Sequence, residues 1–307
     1  MLKPRPVIID TDPGIDDAVA IAIALFSEQL DIRLITTVSG NVEVEKTTAN
    51  VLKLLKFFDR KVPVAAGATR PLIQQSVPAK NVHGESGMDG WDFEPGDKSN
   101  LLEDSAVDAL RKIILSSKEP ITLVAIAPLT NIALLFRMYP EVKNNIRELV
   151  MMGGTTGRGN FTVMGEFNAA TDPEATRIVF EFGVPIVMLG LDVGWKALVY
   201  PEASAKIKQF NHTGEMIFSL FQHYRSRGLA NGLKMYDSCA MAYLLKPEMF
   251  TMVETYVGIE TKGEFTLGMT VVDLKGYLNR PNNAKVAVDI DSAVFQDWLL
   301  NSLKKCS

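Results

Sequence analysis

Four aspartates, Asp10, Asp12, Asp16 and Asp17, fall within eight consecutive positions of the 307-residue sequence. Carboxylates held that close repel one another unless shared protons or a cation intervene. A hard divalent ion is the simplest remedy, because Ca²⁺ and Mg²⁺ take oxygen ligands from carboxylates, carbonyls and water. Any one of the four alone would read as a helix cap or a solvated side chain. Their density is what points to a metal or catalytic site.

The elements that must position them are legible on either side. Val7-Ile8-Ile9 reads as a short strand buried on both faces. Pro13-Gly14 breaks it, and Asp16 and Asp17 stand where a helix should begin, suiting both its cap and its dipole. That helix, expected from Asp16 to about Phe26, is small and apolar throughout and should be buried. Further strands are expected at Ile32–Val38, Val62–Ala66, Ile121–Ile126, Glu148–Met152 and Val184–Leu191, with helices between them. Asn41 reads as the cap of the helix that carries Glu43 and Glu45 in its first turn. Asp172-Pro173 opens another helix in the preferred cap order.

This alternation predicts an α/β fold with a single open, mostly parallel sheet flanked by helices around a Rossmann-like core. Beyond Tyr200 the pattern is mainly helical, with later strands at Tyr256–Thr261, Thr270–Asp273 and Ala284–Ile290 and a last helix over Asp291–Lys304. No linker or repeat divides the chain, so one domain over 1–307 is expected. The stretch from Gly67 to Leu102 lacks periodicity, and its polar, glycine-bearing part, Asn81–Gly90, reads as a mobile flap.

In open parallel sheets ligands bind beyond the carboxyl ends of the strands. The polar residues of interest fall there: Asp10–Asp17, Asn41, the turn at Ile126–Asn131, the Met152–Asn168 loop and Asp192. Asn160, Glu166 and Asn168 place one carboxylate and two amides on a single loop, a mixture suited to a polyol such as ribose. Asp237 alone reads as a helix cap before an apolar run.

Composition narrows the partners. A net charge of −4 disfavours nucleic acid. No stretch reaches the roughly 18 apolar residues of a membrane span, and the N-terminus lacks a signal-peptide core. Cys239 and Cys306 are the only cysteines, so no disulfide framework is expected. A cytoplasmic protein acting on a small molecule is expected, as a homodimer or homotetramer.

Asp10-Thr11-Asp12-Pro13-Gly14-Ile15-Asp16-Asp17-Ala18 resembles the motif of the inosine–uridine-type nucleoside hydrolases. Ser39-Gly40-Asn41, His83-Gly84-Glu85-Ser86-Gly87, Leu129-Thr130-Asn131-Ile132-Ala133 and Met151-Met152-Gly153-Gly154 resemble family segments in the same order. So do Glu166-Phe167-Asn168, Asp172-Pro173-Glu174-Ala175, Gly190-Leu191-Asp192 and Leu267-Gly268-Met269-Thr270-Val271, which together span nearly the whole chain. The resemblance implies a Ca²⁺ enzyme that hydrolyses the N-glycosidic bond of ribonucleosides to ribose and free base, in nucleoside salvage. It implies that Asp12, Asp17, Asp237 and the Ile126 carbonyl bind Ca²⁺, with Asp10 holding water at the ion or supporting its neighbours. Asp12 would also be the general base. Asp16 and Asn41 would contact the 2′ and 3′ side of ribose. Asn160, Glu166, Asn168 and the Met152 region would hold the rest of the sugar, and His83 would ride on a loop beside the base. The segment from about His223 to Met235, which resembles the family least, would line the base pocket.

One position departs from the family pattern. Well-known members carry a histidine immediately before the residue matching Asp237, where it acts on the leaving base; here that residue is Tyr236. Tyrosine, with a reference pKa of about 10, is the weaker acid catalyst at neutral pH. Three other readings compete. A haloacid-dehalogenase-type phosphohydrolase also starts with a strand into Asp-x-Asp but leaves Asp16-Asp17 unexplained. An EF-hand beginning at Asp10 would place Ile15 where glycine is needed and Ile21 where glutamate is needed. A nucleoside-binding protein that has lost hydrolysis would be consistent with Tyr236.

Overall fold

The computed structural model describes residues 3–224 and 231–307. The first half alternates regularly: β1 (Arg5–Thr11), α1 (Ile15–Phe26), β2 (Leu30–Thr37), α2 (Val44–Phe57), β3 (Val64–Ala66), α3 (Lys80–His83), α4 (Ala106–Ser116), β4 (Ile121–Ala125), α5 (Thr130–Met138) and β5 (Ile146–Met152). Two helices, α6 (Phe167–Thr171) and α7 (Pro173–Phe182), lead to β6 (Ile186–Leu189) and the single turn α8 (Leu191–Gly194). After these come β7 (Leu198–Val199), α9 (Pro201–Lys208), α10 (His212–His223), β8 (Leu233–Lys234) and α11 (Tyr236–Leu245). The chain closes with β9 (Phe250–Thr255), β10 (Val257–Ile259), β11 (Thr270–Val272), β12 (Ala284–Ile290) and α12 (Ser292–Leu303).

Eight strands form one sheet in the order β3-β2-β1-β4-β5-β6-β12-β9. Neighbours are parallel except the edge strand β9, which runs antiparallel to β12. Side chains alternate between two apolar layers, as the strand period requires. Val7 and Ile9 of β1 pack with α1 and α11 on one face, while Ile8 packs with α4, α5 and α7 on the other. Such double burial explains why these strands read as continuous branched runs. Between β1 and β4 the strand order reverses direction, which opens a crevice at their carboxyl ends. The aspartate cluster sits at that crevice.

The sequence reading needs several adjustments, one of them at Asp237, which lies inside the first turn of α11 behind the N-cap Met235 rather than capping the helix. Phe250–Thr255 carries no alternation in the sequence to mark it, yet pairs with β12 as the sheet edge. Asn41 does not cap α2; Glu43 occupies that position, and Asn41 turns back toward β1. The stretch expected as a free polar loop around Glu166 and Asn168 contains α6, with Glu166 as its cap. The Asn81–Gly90 segment, expected as a mobile flap, begins in α3 and meets the floor through Asn50, whose Nδ2 donates to both Pro13 O and Ser86 O, while within the segment Asp89 accepts from the Glu85 and Ser86 amides. Of the segment expected to line the base pocket, 225–230 lie outside the described residues. Among the described residues no helix is long and apolar enough to cross a membrane.

Candidate active site

Of the residues singled out from the sequence, Asp12, Asp16, Asn41, His83, Ile126, Met152, Asn160, Glu166, Asn168, Tyr236 and Asp237 line one cavity of about 340 Å³. Asp10 and Asp17 lie beneath it, fully buried. Asp192 is elsewhere: its carboxylate accepts from Thr156 N and Thr156 Oγ1 and braces the loop after β5. His212 is exposed and stacks on Phe57, and His223 bonds its own helix at Ser219 O, so neither enters the cavity.

The floor is built from the end of β1 and the start of α1. Thr11 Oγ1 donates to Asp17 Oδ1 at 2.6 Å and Gly14 N donates to Asp17 Oδ2 at 2.8 Å, so Asp17 closes the first turn of α1. Asp10 Oδ1 accepts from Thr36 Oγ1 at 2.5 Å and Asn131 Nδ2 at 2.8 Å. Asp12 Oδ2 accepts from the Asn41 amide at 2.7 Å. Gly40 permits this approach, because a Cβ there would stand 2.0 Å from Asp12 Oδ2. Asp10 Oδ2 and Asp12 Oδ1 are buried with no hydrogen-bond partner among the described residues. Asp16, Asp17 and Asp237, the last on the first turn of α11, bring one carboxylate oxygen each within 4.8 Å of one another. Asp16, expected at the ribose, therefore stands in the tightest carboxylate group as well as on the cavity wall.

Electrostatics follow from burial. Asp10 is pushed up to about 7 by desolvation, despite the bonds from Thr36 and Asn131. Asp12 is raised by burial and then by the Asp17 charge, and Asp237 by burial and then by the charges of Asp16 and Asp17. Burial also raises Asp17 against its bonds from Thr11 and Gly14. Among the described residues no lysine or arginine pairs with Asp10, Asp12, Asp17 or Asp237, and His83 Nδ1 lies 4.0 Å from Asp16 Oδ1. Two orphaned carboxylate oxygens and an all-oxygen donor set without a basic partner fit a hard divalent cation.

The wall formed by the loop after β5 and the start of α6 is a set of mutual hydrogen bonds. Glu166 caps α6: Oε1 accepts from Asn168 N at 3.0 Å, and Oε2 accepts from Gly154 N at 2.8 Å and Ala169 N at 3.0 Å. Burial raises its pKa against those bonds. Asn160 Oδ1 accepts from Phe167 N at 3.0 Å, and Asn168 Nδ2 donates to Met152 O at 3.1 Å. These bonds leave the Asn160 amide NH₂, the Asn168 amide oxygen and one acceptor position of Glu166 Oε1 as the groups available to a ligand.

On the third side His83, at the end of α3, is buried over the start of α1 and its Nδ1 accepts from Ile15 N at 3.1 Å. A backbone N–H can only donate, so this nitrogen keeps its lone pair and the ring is the Nε2–H tautomer. Tyr224 packs on it, ring centres 5.3 Å apart. Tyr236 is buried with its ring against Gly194, where a Cβ would stand 2.2 Å from Tyr236 Cδ1.

Several lining residues escaped the sequence reading. Phe161 and Phe167, edge to face at 5.2 Å, flank the residues that were flagged, and their neighbourhood could have revealed them. Val77 carries no local signal, because only the folding of the chain before α3 brings it to the cavity, whereas Tyr224 lies in the His223–Met235 segment expected to line the base pocket. Thr11 within the motif, and Thr36 and Asn131 from other strand ends, hold the aspartates by hydrogen bonds.

Residues 7–297 match the family described as inosine-uridine preferring nucleoside hydrolase. The non-specific ribonucleoside hydrolase RihC of Salmonella enteritidis PT4 is 53% identical over 293 residues, 95% of each chain. Its namesake in Klebsiella pneumoniae subsp. pneumoniae is 54% identical over 293 residues, 95% of this chain and 96% of its own. Among solved structures, a purine-preferring ribonucleoside hydrolase from Gardnerella vaginalis has a TM-score of 0.91 at 26% identity, covering 98% of this chain and 99% of that one. An inosine-guanosine nucleoside hydrolase has a TM-score of 0.91 at 28% identity, covering 98% of each. By the length of the family match and these identities, the chain belongs to the inosine-uridine preferring nucleoside hydrolases and is an enzyme of that class.

Proposed function

We propose that this enzyme hydrolyses the N-glycosidic bond of both purine and pyrimidine ribonucleosides, with Ca²⁺ as its cofactor, in nucleoside salvage. The non-specific naming of relatives at 53% and 54% identity supports the breadth of base. The observation that carries the chemistry is Asp12. One of its oxygens is pinned by the Asn41 amide, and the other is buried without a partner among the described residues on the wall of the cavity. That oxygen is placed to take a proton from an attacking water, a contribution worth roughly 10²–10⁴ in rate.

Asp12, Asp17, Asp237 and the Ile126 carbonyl would hold the ion, with Asp10 behind them and Asp16 beside it. Bound Ca²⁺ would supply the positive charge that keeps these carboxylates ionised and fixes water and vicinal hydroxyls together. Asp16 and Asn41 meet the 2′ and 3′ hydroxyls, while the Asn160 NH₂ and the Asn168 carbonyl oxygen meet the rest of the sugar. Negative charge beneath the ring stabilises the oxocarbenium-like transition state of glycosyl cleavage. His83, Tyr224 and Tyr236 surround the place left for the base, and the His83 tautomer presents an N–H donor rather than an acceptor.

A panel of inosine, adenosine, uridine and cytidine with 2′-deoxy counterparts, read for free base, tests the reading. Release from ribonucleosides of both base classes and near-silence of the deoxy series is expected. Equal turnover of the deoxy series would contradict the role given to the floor.

A further inference from the structure

The segment 267–271 lies outside the lining of the active-site cavity, yet it braces both halves of the wall that carries Glu166. It leads into β11, which pairs with β10 in a two-stranded ribbon apart from the main sheet. Strand alternation turns Val271 outward, 37% exposed, and Thr270 inward, 1% exposed. One half of the wall is α6, and Gly268, at φ +79°, lies so close to it that a Cβ would stand 2.4 Å from Ala170 Cα. The other half is the turn after β5. There Thr270 Oγ1 donates to Thr155 O at 2.6 Å and accepts from Thr155 N at 2.9 Å, so one hydroxyl satisfies both backbone groups of a buried residue. A valine would fill the same space and leave both groups unpaired.

What this turn does for the site lies one residue back. Gly154 N donates to Glu166 Oε2 at 2.8 Å, and Ala169 N of α6 donates to the same oxygen at 3.0 Å. These two bonds, one from each half of the wall, orient the carboxylate. Its other oxygen accepts from Asn168 N at 3.0 Å, and a carboxylate oxygen can take two donors, so an acceptor position remains for a ligand in the cavity that Glu166 lines. Gly154, at φ +74°, imposes no conformation of its own. The peptide that follows it is held at its oxygen by Leu191 N at 2.9 Å and at its nitrogen by Thr270 Oγ1. Thr270 also packs directly on Gly154, where a Cβ would stand 2.7 Å from Thr270 Cγ2.

We infer that Thr270 is a positioning residue for substrate binding: its hydroxyl holds the Gly154–Thr155 peptide, the Gly154 amide thereby aims Glu166, and Glu166 Oε1 takes a hydroxyl of the sugar. This rests on the proposed hydrolase reading. Thr270 itself lies away from the cavity and from the reacting bond, so its contribution falls on affinity rather than on the chemical step.

The test is steady-state kinetics of the full-length, Ca²⁺-supplied enzyme on the better of inosine and uridine. Thr270→Val should raise KM by about tenfold to a hundredfold, the worth of a hydrogen bond to a charged acceptor, and leave kcat within about threefold. Thr270→Ser, which keeps donor and acceptor, should hold KM within about threefold of the parent. In a Glu166→Gln background Thr270→Val should add less than about twofold, because the group it aims is already gone. Val257→Ala, at a buried position of β10, should lower the melting temperature and leave KM within about twofold. Should Thr270→Val not fold, Thr270→Cys, with its weaker donor and acceptor, should show the same split at smaller amplitude. A folded Thr270→Val or Thr270→Cys enzyme with unchanged KM, a loss carried by kcat alone, an undiminished effect in the Glu166→Gln background, or an equal KM rise in Val257→Ala would overturn the inference alone. No base release from either nucleoside by the parent enzyme would overturn the hydrolase reading and this inference with it.

Discussion

At the scale of single residues, the account turns on how two oxygens of one carboxylate are used. Asp12 Oδ2 is spent on the Asn41 amide, which orients the group; Oδ1 is left for chemistry. Asp12→Asn should keep the amide oxygen on Asn41 N and put an NH₂ where the base stood. We expect kcat to fall by roughly 10²–10⁴. Metal-free melting temperature should hold or rise, because the substitution removes a buried carboxylate that the Asp17 charge opposes. Near-parental kcat in a folded Asp12→Asn protein would remove Asp12 from the mechanism. The aspartates were legible in the sequence because their density has no bland explanation. The supporting bonds from Thr36 and Asn131 were not, since nothing in the chain before the fold says which hydroxyl or amide will face a buried carboxylate.

At the scale of elements, the site depends on α3 docking over the start of α1. Gly14 makes that possible: a Cβ there would stand 2.5 Å from His83 Nδ1 and 2.9 Å from Asn41 Nδ2. Gly14→Ala should push His83 off the Ile15 amide, at a cost of about 1–3 kcal/mol for overpacking. A loss of kcat/KM of about tenfold should accompany it, carried mostly by KM, since the displaced groups position substrate more than they transfer protons. Steady-state kinetics and calorimetry check both halves, and unchanged values would show that the contact is idle. Elements buried on both faces, β1, β4 and β5, were plain in the sequence as branched runs. The edge strand β9 was not: its exposed and buried positions follow no clean alternation, and it is fixed by pairing with β12. The Asn81–Gly90 segment was legible as a polar, aperiodic stretch, but its anchorage was not, because such composition does not disclose that Asn50 will donate to Ser86 O or that Asp89 will fold the segment on itself.

At the scale of the whole molecule, the fold concentrates buried negative charge at the point where its sheet reverses order. Without a cation the carboxyls there hold protons more tightly than in the unfolded chain; Asp10 moves from near 3.8 to about 7. An acid whose folded pKa is raised binds more protons folded than unfolded between those values, so stability is greatest at the acid end and declines as pH rises. The melting temperature of the metal-stripped protein should therefore fall from about pH 5 to about pH 8, and added Ca²⁺ should flatten the slope by favouring the ionised floor. A metal-stripped protein that grows more stable over the same interval would contradict the account. The α/β class, the strand ends that carry the site and the family were all legible in the sequence, because motif residues recur at the ends of β1, β2, β4, β5 and β6. The cavity's apolar wall was legible only in part: Tyr224 lies in the segment expected to line the base pocket, whereas Val77 and Phe161 join it only in the assembled chain. The central claim is that these carboxylates work through a cation on ribonucleosides. Its most direct measurement is free-base release from uridine and inosine by chelator-stripped enzyme, titrated with Ca²⁺: activity should vanish on stripping and return saturably with Ca²⁺, whereas full turnover by the stripped enzyme would contradict it.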